Sequence, residues 1–233
     1  MFSRVKAMLF NPKEEWEVIE AENPSHAKVL PYLLILALIP AIIIFANYWM
    51  QWNSVISKAT EEAINTASNN EFVKSRLPET LAKIKTSNPF NLTMAIITAA
   101  QYFVTILCGV YVAAVIIDAL SDQFGVSKDF NRTFSLVVYS YTPLCLAGIL
   151  YIYAPLAWLV PILGLYGIYL LYLGVKPLIK PTAEKQTGYI IMALLVTLLA
   201  YIILSKIAPM LTTQIYSSIV TADSPVQSLP VNP

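Results

Sequence analysis

"TFSLVVYSYTPLCLAGILYIYAPLAWLVPILGLYGIYLLYLGV", residues 133–175, contains no lysine, arginine, aspartate or glutamate. Its 43 residues would reach about 65 Å as one helix at about 1.5 Å per residue. One helix needs roughly 20 apolar residues to cross the hydrocarbon, so the stretch holds two spans. Ala154-Pro155 is the natural hinge, because proline starts helices well and continues them badly. The first half carries Tyr139, Ser140, Tyr141, Thr142 and Pro143 at its centre. Pro143 removes one backbone donor and frees the carbonyl of Tyr139. In hydrocarbon that carbonyl needs a partner from Ser, Thr, Tyr or water. The hydroxyls just before the proline suit that task. The stretch therefore reads as a kink with its own compensation, either architectural or the hinge of a moving protein.

Three more charge-free gaps, 29–57, 86–117 and 186–205, complete the map. The chain has 233 residues, 57% hydrophobic and 12% charged, with a mean hydropathy of +0.63. Soluble domains carry about 25% charged residues, so the sequence predicts an all-α, polytopic membrane helix bundle. Five spans follow, at about 29–49, 92–118, 134–152, 156–175 and 189–207, the fifth able to run on past Lys206. Net charge is +1, which implies no nucleic-acid partner. The first apolar run follows a segment with five glutamates, so it is expected to be an uncleaved first span rather than a signal peptide.

Basic residues set orientation. With the N-terminus inside, Arg4, Lys6, Lys13, Lys28, Lys128, Arg132, Lys176, Lys180 and Lys185 lie inside, nine against six outside. That places the N-terminus in the cytoplasm and the C-terminus outside. Interfacial aromatics agree: Tyr48, Trp49 and Trp52 after span one, Tyr151 and Tyr153 after span three.

Residues 1–28 read as two short inner-face helices. Phe2, Val5, Met8 and Leu9 recur at helical spacing, with Arg4 and Lys6 free for phospholipid headgroups. Asn11 is an N-cap, Pro12 fits the first helical position and Glu14 completes a capping pattern. Asn-Pro recurs at Asn23-Pro24 and Asn88-Pro89, each read as a helix start. The outer loop 52–90 carries two apolar helical faces, Trp52, Val55, Ile56, Ala59 and Ala63, then Phe72, Val73, Leu77, Leu81 and Ile84, with a turn at Asn69-Asn70 and another possible at Pro78-Glu79. Residues 29–207 form the membrane domain and 208–233 an outer tail, partly disordered after Thr221.

Chemistry is sparse. No HExxH, GxSxG, P-loop, GxGxxG or CxxC pattern occurs. His26 stands alone, and Cys108 and Cys145 read as small buried hydrophobes. Catalytic, cofactor-binding and metal residues are therefore assigned to none. Asp118, at the inner end of span two, reaches headgroup water or meets Lys128 or Arg132; alternatively it faces a cavity or a partner. Gly109 with Ala113, and Ala37 with Ala41, are small-xxx-small pairs that let helices approach. Span four carries the stripe Tyr166, Tyr169 and Tyr172, with Gly164, Gly167 and Gly174 nearby. Seven of the fourteen tyrosines fall between 139 and 172, and a hydrogen-bonded seam between spans three and four is the simplest use for them.

The run "DQFGVSKDFNRTFSLVVYSYTPLCLAGIL", then "WLVPILGLYGIYLLYLGVKPLIKPTAEKQTGY", resembles the bacterial branch of the Ypt-interacting-protein (Yip) family. The shared features are Tyr-x-x-x-Pro in the third span, a short uncharged hairpin, "YLLYLG" closing the fourth, and "GY" opening the last. "MLFNPKEEWEVI" resembles the family's front end. The resemblance covers about residues 5–207, the long outer loop excepted. It implies five spans, an inside N-terminus and no enzyme activity. Eukaryotic relatives act in vesicle traffic and bind Rab-type GTPases; their aspartate-leucine-tyrosine-glycine-proline signature is absent, so GTPase binding is not carried over. The expected function is non-enzymatic partner binding or membrane organisation in a bacterial inner membrane, with the lipid bilayer and a membrane or cytoplasmic protein on the inner face as partners. A homo-oligomer fits as well. The alternative is a small transporter or channel, with Asp118, Gln101 and the Tyr139–Pro143 region lining its path. An intramembrane hydrolase lacks a nucleophile and base set.

Overall fold

The structure, a computed structural model, describes residues 1–67 and 88–222. Eight α-helices and no strand occur among them: α1 Phe2–Phe10, α2 Pro12–Glu22, α3 His26–Ala67, α4 Asn88–Leu120, α5 Phe130–Ser140, α6 Thr142–Ala147, α7 Leu159–Leu178 and α8 Ala183–Ala222. Short 3-10 turns extend α4 at Ser121–Phe124 and α6 at Gly148–Ile152. Four segments of the described residues, His26–Gln51, Leu92–Phe124, Phe130–Ile152 and Leu159–Leu178, are long and apolar enough to span a bilayer. The chain is thus an all-helical membrane bundle, and α8 overlaps the fifth expected span.

α3 and α4 make the most extensive contact. Ala37, Ala41, Gly109 and Ala113 are all buried, so the small-residue pairs of both helices lie inside the bundle. α4 then packs on α8 and α5, and α7 closes against α5 and α6. The core between them is Leu33, Leu36, Val110, Ile117, Phe134, Val137 and Leu170.

Several helix ends differ from expectation. Span one ends at Gln51, close to the expected 49, but its helix α3 continues unbroken to Ala67. Charges at Lys58, Glu61 and Glu62 mark the departure from hydrocarbon, but helical hydrogen bonds persist in water. The backbone at Trp52, Val55, Ile56, Ala59 and Ala63 is helical, while their side chains, and all of Asn69, Asn70 and the second face from Phe72 to Ile84, lie outside the described residues. Likewise α8 runs to Ala222, so residues 208–222 are helix; 223–233 lie outside the described residues. Asn23 is not a helix start. It ends α2 in the left-handed conformation, φ 39°, ψ 59°, which asparagine tolerates. Asn11 precedes α2 with Pro12 at its start, yet its side chain makes no cap bond to the backbone and instead reaches Glu14 Oε2 at 3.3 Å.

The hairpin at Ala154–Leu156 is tied from outside. Asn47 Nδ2 donates to the carbonyls of Tyr151 and Ile152 at 2.8 and 3.2 Å. Gly148 lies so close to Pro40 that a Cβ there would sit 2.5 Å from the proline Cβ. Cys145 is buried, but Cys108 is exposed on the bundle surface; both are free thiols.

Candidate functional site

α5 starts on Asp129, whose carboxylate accepts the backbone N–H of Asn131 at 3.1 Å and of Arg132 at 3.3 Å. Every residue from Thr133 to Ser140 is buried. At Tyr141 the helix breaks, and α6 restarts with Pro143 in its first turn, where a missing N–H costs nothing. Cys145 N–H then donates to the Tyr141 carbonyl at 3.1 Å.

The hydroxyls do not serve the broken backbone as expected. Thr142 Oγ1 pairs with Tyr32 OH of α3 at 2.9 Å, fully inside the bundle. Tyr139 stacks edge-on to Tyr32, centroids 4.9 Å apart, and to Trp16 of α2 at 6.2 Å. Ser140 Oγ is buried without a hydrogen-bond partner among the described residues. The Ser140 carbonyl faces Gly167 of α7, where a Cβ would come within 2.5 Å of it. The break is therefore accommodated by an absent side chain on the neighbouring helix, while Thr142 and Tyr139 face other elements. Exchanging Tyr32 for Phe or Thr142 for Val strands one buried oxygen and should each cost about 1 kcal/mol. The double variant Tyr32→Phe with Thr142→Val should unfold nearer the parent temperature than either single change in detergent melting curves.

The N-terminal helices reach this same point. Arg4 of α1 turns inward, not toward headgroups. Its Nη2 donates to Glu22 Oε1 and Oε2 at 2.8 and 2.7 Å, and its Nη1 lies 3.1 Å from Glu15 Oε1. The guanidinium carbon stands 5.7 Å from the centroid of the Tyr139 ring, within cation–π range. Trp16 is fully buried. A Cβ at Gly174 would lie 2.7 Å from its ring and 2.5 Å from Leu136 Cδ1, so only glycine leaves the indole room. Its Nε1 finds no acceptor among the described residues. Tyr166 OH donates to the Leu9 carbonyl at 2.9 Å, and Glu20 pairs with Lys180.

Burial pushes the Glu15 carboxyl above its ordinary value; Arg4 pulls it back, and Glu22 adds to the rise. Burial by itself would lower the Arg4 pKa, but the Glu22 hydrogen bond and the charges of Tyr139, Glu15 and Glu22 outweigh it and the net shift is upward. A carboxyl whose pKa rises on folding holds its proton more tightly in the docked state. Its contribution is fully present below the unfolded value, near 4.5, and is lost as pH rises through the folded one. Glu15→Gln should therefore flatten the loss of protease protection of residues 1–22 as pH rises from about 4.5. Glu22→Gln, which removes an oxygen facing Arg4, should weaken that protection instead.

Asp118 is engaged at the same end of the bundle. Its Oδ1 accepts the Asp129 backbone N–H at 3.0 Å and the Thr133 hydroxyl at 3.4 Å. Among the described residues neither Lys128 nor Arg132 forms a direct ion pair with it, although its charge acts on Lys128. Lys128 pairs with Asp122 at 2.6 Å, and Arg132 with Asp129 at 3.1 Å. His26 is held by Asn131 Oδ1, which accepts its backbone N–H at 2.8 Å.

The structure thus brings Tyr139, Tyr166 and Gly174 against the two N-terminal helices: Tyr139 at Trp16 and Arg4, Tyr166 at Leu9, and Gly174 at Trp16. Thr142 faces Tyr32 of α3, Pro143 lies near Gly167, and Ser140 and Tyr141 line a cleft completed by Leu194, Thr197 and Leu198 of α8. The structure does not gather the tyrosine stripe into an internal seam: Tyr169 and Tyr172 are 42% and 52% exposed on the outer surface of α7. Gln101 stands 17 residues from Asp118 on α4, about 25 Å along the helix. Glu15, Trp16 and Glu22 escaped the sequence reading, which gave Arg4 to the headgroups and named Gly167 only as a neighbour of the tyrosine stripe. A signal existed: Arg4 falls one turn before Met8, and Glu15 and Glu22 share a helical face with Ile19.

No match is found among curated proteins or among solved structures. The sequence model of the Yip1 domain, in contrast, matches residues 6–205, from the inward-turned α1 through all the membrane-spanning helices into α8. The chain belongs to the Yip1 domain family.

Proposed function

We propose that this Yip1-family membrane protein is not an enzyme and acts by holding partners and organising the membrane around it. One observation carries the reading. Among the described residues, the charges of Arg4, Glu15 and Glu22 beside the bundle meet one another within the chain. Such a set fastens two helices to a bundle, with its acids turned to Arg4. Among the described residues, no group of His, Cys, Asp or Glu is arranged to hold a metal ion. Asp118 likewise anchors the start of α5, which removes support from a transport path through it.

The contact surface for a protein partner is the face carrying α2 and the segment 121–132. It exposes Lys13, Glu14, Glu17, Asp122, Gln123 and Lys128. The distribution of basic residues supports placing this face in the cytoplasm of a bacterial cell, with the protein in the inner membrane. A photo-crosslinker at Glu17 or Gln123 should capture a discrete partner in native membranes, whereas one at the lipid-facing Leu165 should not. Identical capture patterns at all three positions would refute the assignment. Purified protein in liposomes should show no solute flux that Asp118→Asn abolishes; Asp118-dependent flux would restore the transporter reading.

A further inference from the structure

α1 has two faces that sort its residues in an unusual way. Arg4, Val5 and Met8 turn toward α2 and the bundle. Phe2, Lys6 and Phe10, at i, i+4 and i+8, form the opposite stripe, and the two phenylalanines are 88% and 75% exposed. A helix on a wet surface would hide its aromatics and show its arginine. This one does the reverse.

Its depth explains the reversal. The Leu9 carbonyl is bonded by Tyr166, which lies 12 residues before the end of α7 at Leu178, about 18 Å along that helix. α1 also touches α6, beyond the break in the third span. α2 lies nearer the charged end, with Trp16 at Gly174 and Glu20 at Lys180. Its outer face carries Lys13, Glu14 and Glu17. The pair is therefore layered along α7, α2 toward its charged end and α1 further from it. Phe10 follows Leu9 directly and so continues the lipid-facing surface of α7, where Leu165 and Tyr169 are 59% and 42% exposed.

We propose that α1 is a wedge seated in the acyl-chain layer of one leaflet only, that of the N-terminal face, with phospholipid tails against Phe2 and Phe10. The acids of α2 make this insertion tolerable, since Glu15 and Glu22 accompany the Arg4 charge. Lys6 extends its amine toward the headgroups along its own alkyl stem. The wedge, about 10 Å across, enlarges one leaflet without a counterpart in the other. This deepens the membrane-organising half of the proposed function. Its test reads helix depth alone, so a failure would leave partner binding untouched.

The experiment uses full-length protein with Cys108 and Cys145 replaced by alanine, reconstituted in phosphatidylcholine–phosphatidylglycerol vesicles. Nitroxide labels are placed through Phe2→Cys, Phe10→Cys, Lys13→Cys and Leu165→Cys. Labels at Phe2 and Phe10 should collide with oxygen as readily as that at Leu165, and with a water-soluble nickel chelate several-fold less than that at Lys13. Nickel collisions at Phe10 equal to those at Lys13 would overturn the wedge. Spin–spin broadening at Phe10 would also overturn it, by placing a second copy of the chain on that face. Unmodified protein supplies an independent reading: a diazirine carried on a lipid tail should label the peptide 2–10. Absence of label there, with α7 labelled, would sink the proposal.

Discussion

Trp16→Ala is expected to release the N-terminal helices while leaving the membrane bundle folded. The indole is fully buried among Leu136, Gly174 and Tyr139, and its removal empties the centre of the joint. Truncating a buried aromatic of this size costs about 3–5 kcal/mol. The joint's other sources of stability are the buried Met8 and Ile19, the Arg4 ion pairs, the Tyr166–Leu9 hydrogen bond and the Glu20–Lys180 pair. Helices α3 to α8 also pack extensively on one another, so the loss is expected to be local. Limited proteolysis in detergent should cut residues 1–25 early in the variant and late in the parent, with helical signal from the rest unchanged. Gly174→Leu should give the same cleavage from the other side, because its first added atom already meets Leu136 and Trp16. A variant whose front end stays protected would show that the joint is held by something other than this contact.

The second large effect is expected at Gly167. An added Cβ would approach the Ser140 carbonyl oxygen to 2.5 Å, and backbone cannot rotate out of the way. α7 must then move off the broken third span, at a cost of about 1–3 kcal/mol or more for an overpacked site. Gly164 is the internal control. Its added Cβ would meet Leu144 Cδ1 at 2.8 Å, the far end of a flexible side chain that can turn aside. Gly167→Ala should therefore lower the melting temperature in detergent well beyond Gly164→Ala. Equal shifts would mean that the carbonyl at the break is not confined by α7.

These two positions also show how much the amino-acid sequence revealed. Gaps between charges located the spans because burying an ion in hydrocarbon is costly everywhere along a helix. The break before Pro143 was legible for an equally local reason, the missing N–H. What could not be read was the partner of each polar group. Tyr139, Ser140 and Thr142 lie next to the freed backbone in sequence, which suggested that they repair it. In space Thr142 faces Tyr32, 110 positions away, and Tyr139 faces Trp16. The tyrosine stripe of α7 misled by the same route. Regular spacing places hydroxyls on one side of a helix but does not say whether that side meets protein or lipid. Arg4 was assigned to headgroups on its charge alone, before anything showed that Glu15 and Glu22 come round to meet it.

α3 has a mechanical consequence. From Pro40 to Ala67 it contains neither glycine nor a further proline, a run of about 40 Å at about 1.5 Å per residue. A hydrogen-bonded rod of that length bends little, so tilting it by five degrees at Pro40 swings its far tip by about 3 to 4 Å. Because Pro40 rests against Gly148, beside the segmented third span, any slip there is magnified into a sideways sweep at a distance where nothing in the bundle itself has moved.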